Sequence, residues 1–253
     1  MLKSVELFAG AGGLAMGMGL AGFESHAVVE WDRWACDTLR ENKRRHFPLI
    51  QDWNIVEGDV RNLDTSDFGD DIDLVSGGPP CQPFSMGGKH RAHNDERDMF
   101  PATVNVIRSL RPRAFIIENV RGLSRPSFRN YFHYILYQLS FPEIRKRENE
   151  DWEGHLRRLE KHKSQGALRR GLTYEVLPRV LNAANYGVPQ RRDRVFIVGF
   201  RADLGVKWAF PDETHSYEAL LRDQWITGDY WDRHEVPCVN RPHLSEAEQK
   251  KVE

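Results

Sequence analysis

The chain holds 253 residues, 40% of them apolar, with 36 Lys and Arg against 37 Asp and Glu and a formal net charge of −1. That balance excludes a protein held to nucleic acid by a general basic field, so any such contact must use local patches or a partner. Cys36, Cys81 and Cys238 lie too far apart for a framework of paired bridges, and no Cys-x-x-Cys or Cys/His cluster marks a metal site, so no metal is expected. No apolar run reaches the length of a membrane span and no signal peptide is evident, which makes the cytoplasm the expected location.

Short apolar runs rich in β-branched residues occur at 4–8, 26–30, 72–76, 114–118 and 195–200, with a weaker one at 53–58. They read as buried strands, and the longer segments between them suit crossover helices. Residues 1–200 are therefore expected to form an α/β domain, a mostly parallel sheet with helices on both faces. Ligands of such folds sit beyond the carboxyl ends of the strands. The segment 141–170 is dense in charges of both signs and reads as an exposed helix and loop. Residues 201–253 lose the strand–helix rhythm and are expected to form the start of a recognition region or a partner-docking tail, with a small helix capped at Ser245.

After the first run, "ELFAGAGGLAMGM" places Gly10, Gly12 and Gly13 ahead of a predicted helix, a turn whose backbone can approach a ligand closely. The second strand ends at Glu30, where nucleotide-binding folds hold ribose hydroxyls, and the third turn offers Asp59 to an adenine amine. The G-x-G-x-x-G spacing is broken by Ala15, and no Gly-Lys-Ser/Thr follows. A nucleoside held without its pyrophosphate is implied, and S-adenosylmethionine satisfies that description.

The fourth strand runs into "GGPPCQPFS", where Pro79, Pro80 and Pro83 stiffen the loop that carries Cys81. A nucleophile on a stiff loop loses little entropy on reaching its attack geometry. The next strand ends with Glu118 and Asn119, a carboxyl fit to act as acid or hydrogen-bond donor. "QRRDRVFIVGF" opens the last strand with Arg192 and Arg194, cations fit for an anionic partner or a thiolate.

Together "ELFAGAGGLAMGM", "GGPPCQPFS", "IIENVRGL" and "LNAANYGVPQRRDRVFIVGF" resemble the ordered motifs of the DNA (cytosine-5)-methyltransferases across residues 4–200. The resemblance implies a Rossmann-like catalytic domain in a prokaryotic restriction–modification setting. It also implies S-adenosylmethionine as methyl donor and a cytosine flipped from duplex DNA as acceptor. By the same resemblance Cys81 attacks carbon 6 of the base and Glu118 donates to its N3. Arg192 contacts the flipped base, and Arg194 supports the same wall. Phe8, Gly10, Gly12, Glu30, Trp31, Asp59, Val60, Pro79 and Phe100 line the cofactor site, with Trp31 stacked on adenine. Gln82, Ser85 and Asn119 belong to the substrate side, and the stretch 84–100, basic at Lys89 and Arg91, suits a lid.

Two family pieces are missing. Residues 201–253 contain no Gly-Asn-(Ser/Ala)-Val signature and at most the start of a target-recognition region. A second polypeptide supplying both is the expected partner, ahead of a truncated chain or a regulatory subunit that keeps the fold without catalysis. The related transfer-RNA cytosine-5 methyltransferases carry Thr where Ser85 stands, which leans the reading to DNA.

Overall fold

The computed structural model describes residues 1–69, 71–80, 98–165, 171–243 and 245. Cys81, Gln82, Ser85, Lys89, Arg91 and the helix expected after Ser245 lie outside them. The chain divides into two compact units, residues 1–180 with 194–208, and residues 181–193 with 209–253.

The first unit is built on a seven-stranded sheet of order β3-β2-β1-β4-β5-β7-β6. Its strands are β1 (Leu2–Leu7), β2 (Phe23–Glu30), β3 (Ile55–Glu57), β4 (Leu74–Gly77), β5 (Ala114–Val120), β6 (Tyr174–Asn182) and β7 (Asp193–Arg201). The β1–β2, β2–β3, β1–β4 and β4–β5 pairs are parallel, and β7 runs antiparallel to β5. Successive residues of a strand point to opposite faces, and β2 shows the consequence. Ala27 and Val29 enter the larger core with Phe100 and Ile107 of α3 (Phe100–Leu110) and Ile135 of α4 (Arg129–Ser140). Val28 enters a smaller cluster with Ala15 of α1 (Gly13–Leu20), Leu39 of α2 (Arg33–Arg44) and Trp53. The expected sheet with helices on both faces is present.

Two elements differ from expectation. β6 carries a proline and is exposed over most of its length. Proline is tolerated at a sheet edge, where β6 lies, and an edge strand lacks the apolar run that marks a buried one. The charged segment 141–170 contains α5 (Trp152–Ser164), which docks on α4 instead of standing in solvent. Asp151 caps it by accepting from the Gly154 amide at 2.6 Å, and its inner stripe buries His155 and Leu159. The His155 Nδ1 pairs with the Tyr134 hydroxyl at 2.9 Å, and the Trp152 ring centre lies 5.7 Å from that of Tyr134. Burial holds the His155 pKa below its usual range.

Within the sheet, Glu6 of β1 sits opposite Ser76 of β4 and is only 2% exposed. Ser76 Oγ donates to Glu6 Oε2, and burial pushes the carboxyl pKa from 4.5 up to about 8, against a smaller lowering by that hydrogen bond. The folded chain therefore binds a proton that the unfolded chain lacks between those two values. Stability from this group is present at low pH and falls as pH rises through the window, by an amount on the order of a few kcal/mol at most. The thermal midpoint of Glu6→Gln is expected to change less between pH 5.5 and pH 8.5 than that of the parent chain. Equal slopes for the two proteins would remove Glu6 as the cause.

The second unit contains α6 (Tyr217–Arg222), capped by Ser216, and α7 (Asp229–Arg233). Trp225 and Tyr230 pack on Trp231, and Arg233 pairs with Asp223 at 2.5 Å. None of its described residues is buried.

Candidate cofactor and catalytic site

Four of the predicted site segments leave the same end of the sheet, because β1, β2, β4 and β5 are mutually parallel. Beyond β1 the chain takes left-handed conformations at Phe8, Gly10 and Gly12, with φ of 55°, 54° and 86°. Position 12 admits only glycine, since a Cβ there would also stand 2.6 Å from the Trp53 ring. The loop is tied to the neighbouring strand end. Ala9 N donates to Val29 O at 3.2 Å and Gly10 N to Glu30 Oε2 at 2.8 Å. Glu30 Oε1 accepts from the amides of Trp31 and Asp32, each at 2.8 Å.

Glu30 thus holds the glycine loop and its own following turn in one arrangement, and it is 7% exposed. A carboxylate has about four acceptor sites, so three amide donors leave capacity for a ribose hydroxyl. Trp31, on the backbone that Glu30 fixes, is 68% exposed and presents an open aromatic surface. A side chain at Gly10 would meet nothing within 4 Å, so the loop has room above it. Carboxylate, exposed indole and roomy glycine loop fit an adenosine with an amino-acid tail.

The other cofactor candidates stand differently. Asp59 caps a 3₁₀ turn (Val60–Asn62), and both its oxygens accept from Arg61, at 2.5 Å from Nη2 and 2.9 Å from the amide. That contact holds its carboxyl below the usual range. Val60 and Phe100 are both buried in the larger core, and Phe8 packs against it.

On the catalytic side, Glu118 of β5 meets Arg194 of β7, Oε1 to Nε at 2.8 Å. The antiparallel register, which pairs Val120 with Arg194, brings them together. A Cβ at Gly78 would lie 3.3 Å from Glu118 Oε2, so the carboxyl borders the entry to the cysteine loop. Asn119 is buried, its Nδ2 donating to Pro79 O at 3.0 Å and its Oδ1 accepting from the Val120 amide at 2.8 Å. It ties the end of β5 to the residue two positions before Cys81, a link across 40 residues that the sequence reading missed. Arg192 lies in the second unit, where its amide donates to Asn182 Oδ1 at 3.3 Å and its carbonyl accepts from Ala183. Among the described residues no cluster of three or more His, Cys, Asp or Glu could hold a metal ion.

A model of the C-5 cytosine-specific DNA methylase family matches residues 2–142 and 162–245. The chain belongs to that family. Among curated relatives, the Type II methyltransferase M.NgoMIV of Neisseria gonorrhoeae is 36% identical over 90% of this chain and 64% of its own length. M.AquIA of Picosynechococcus is 36% identical over 84% of this chain and 77% of its own. M.PspPI of Psychrobacter is 34% identical, and the chain spans 47% of it. The chain thus spans less than two thirds of M.NgoMIV and about half of M.PspPI. A solved prophage-encoded protein of E. coli, described as a "putative DNA modification methyltransferase", superposes with a TM-score of 0.55 at 25% identity, over 83% of this chain and 49% of that one. The DNMT2 structure of Spodoptera frugiperda, at 22% identity and a TM-score of 0.52, shares the fold. The Rossmann-like methyltransferase fold follows. No helix among the described residues is long and apolar enough to cross a membrane.

Proposed function

We propose that this chain transfers a methyl group from S-adenosylmethionine to carbon 5 of a cytosine flipped out of duplex DNA, through a covalent adduct with Cys81. The observation that carries the reading is the meeting of Glu118 with Arg194 beside Gly78, at the strand end where Asn119 anchors the cysteine loop. In this reading the glycine loop, Glu30 and Trp31 hold the cofactor. When bound, S-adenosylmethionine supplies an electrophilic methyl group.

Carbon 5 of cytosine is a poor nucleophile. Attack of the Cys81 thiolate at carbon 6 breaks the 5,6 double bond and moves its electron pair toward carbon 5. Glu118 donates a proton to N3, which keeps negative charge from building on the ring. Arg194 fixes that carboxyl, and Arg192 contacts the base. Carbon 5 would take the methyl group with S-adenosylhomocysteine as the leaving group. A solvent base then accepts the carbon 5 proton, the freed electron pair expels the Cys81 thiolate, and N3 returns its proton to Glu118, which restores the aromatic ring. A second polypeptide draws no support from the relatives, each a Type II methyltransferase by name, and is not part of the proposal. A prokaryotic cytoplasm or nucleoid is the matching location.

The cofactor half is tested separately. Glu30→Ala removes a carboxylate that orders three backbone amides and, in this reading, a ribose contact. Hydrogen bonds to charged groups contribute about 1.5–3 kcal/mol, so S-adenosylmethionine should bind roughly tenfold or more weakly in titration calorimetry. Unchanged affinity would take Glu30 out of the site.

A further inference from the structure

Beyond β5 the backbone turns through two 3₁₀ segments, Arg121–Ser124 and Pro126–Phe128, before entering α4. From Asn119 to Pro142 the sequence carries Arg121, Arg125 and Arg129 and not one Asp or Glu, although the chain has 37 acidic residues. Most arginines elsewhere in the first unit have a carboxylate partner, as in Arg40–Glu57, Arg111–Glu143, Arg158–Glu150 and Arg201–Asp203. Among the described residues Arg125 and Arg129 have none. Arg125, exposed and without a carboxylate partner among the described residues, is a cation open to an anionic group from outside the chain.

The same turn lines an open cleft of about 530 Å³, formed by Arg121, Gly122, Ser124, Arg125, Pro126 and Val180 of β6. Its backbone is fixed: Arg125 N donates to Gly122 O at 3.3 Å, and Ser124 Oγ to Arg121 O at 2.9 Å. Arg121 follows Glu118 by three residues, a span of at most about 10 Å. A nucleotide flipped about its backbone stays bonded to the phosphates on either side of it. When its base reaches Glu118, those phosphates fall within reach of an arginine side chain rooted in this turn.

We propose that this cleft binds a phosphodiester of the DNA strand carrying the target cytosine, with Arg125 as the principal donor and Arg121 beside it. The inference rests on the proposed function and adds a strand-holding site that the motif comparison leaves unassigned. Such contacts position the nucleic acid without reading its sequence.

The test is binding of the full chain to fluorescein-labelled duplex DNA, by anisotropy across a salt series with S-adenosylhomocysteine present. Arg125→Gln should weaken binding about three- to tenfold, equally for unrelated duplex sequences. It should also lower the slope of log affinity against log salt by about 1, and the Arg121→Gln, Arg125→Gln pair by about 2. Arg125→Lys, which keeps the charge, should retain the parent slope. Unchanged S-adenosylhomocysteine affinity and thermal midpoint will show that the variants are folded. Parent-like affinity and slope in the double variant would overturn the cleft, and so would a slope change seen with RNA and not with duplex DNA. If the parent chain methylates DNA while the double variant binds as the parent does, the cleft alone fails. If the parent chain binds no nucleic acid, cleft and proposed function fail together.

Discussion

Replacing Cys81 by serine is expected to lower methyl transfer by at least about a thousandfold while leaving S-adenosylmethionine affinity unchanged. The thiolate is the attacking species, and a serine hydroxyl at neutral pH offers neither its charge fraction nor its polarisability. Loss of an essential nucleophile commonly removes nearly all of an enzyme's turnover, since the remaining groups act only in concert with it. The glycine loop, Glu30 and Trp31 stand at the ends of β1 and β2, on different elements from the cysteine loop, so binding should be preserved. A duplex carrying 5-fluorocytosine provides a direct readout. Fluorine cannot leave as the carbon 5 proton does, so the parent chain should accumulate a heat-stable covalent complex that the serine variant does not form. A variant that retains transfer would show that another group attacks the base.

Glu118→Gln should lower the turnover number by about 10²- to 10⁴-fold, the range for a positioned general acid. Glutamine keeps the length of the side chain and an acceptor for Arg194, whose Nε lies 2.8 Å from Oε1. It cannot release a proton to N3, so the loss should fall on chemistry and not on binding of DNA or cofactor. Arg194→Lys should give a smaller loss, because a lysine keeps the charge without the directed guanidinium contact. Turnover of Glu118→Gln within threefold of the parent would reassign proton donation elsewhere.

Much of this arrangement is legible in the residues alone, for reasons particular to each element. β1, β2, β4, β5 and β7 each coincide with a short apolar run, because central strands covered by helices on both faces are mostly apolar. β6 has no such run, since an edge strand is open to solvent, and α5 conceals two inward residues among eight charged or polar ones. Within the site, Glu30 and Glu118 stand out as carboxylates ending apolar strands. Their partners do not. Glu30 is held by backbone amides, which leave no mark in side-chain identity, and Asn119 is joined to Pro79 across 40 residues. Asp59 is instructive in the other direction. It reads as an adenine acceptor, and the structure adds that Arg61 two residues on donates to both its oxygens, a local pairing that the sequence displays openly. The cleft beside Arg125 shows itself only as a silence, 24 residues without an acid.

The central claim is carbon 5 methylation of cytosine in DNA by way of Cys81. The most direct test is transfer of a labelled methyl group from S-adenosylmethionine to mixed-sequence duplex DNA by the purified chain, with the product nucleosides separated. Label recovered as 5-methylcytosine, and absent with Cys81→Ser, is the predicted result. Label on an exocyclic amine, transfer to transfer RNA and not to duplex DNA, transfer surviving the serine substitution, or none from a folded chain that binds the cofactor would contradict it.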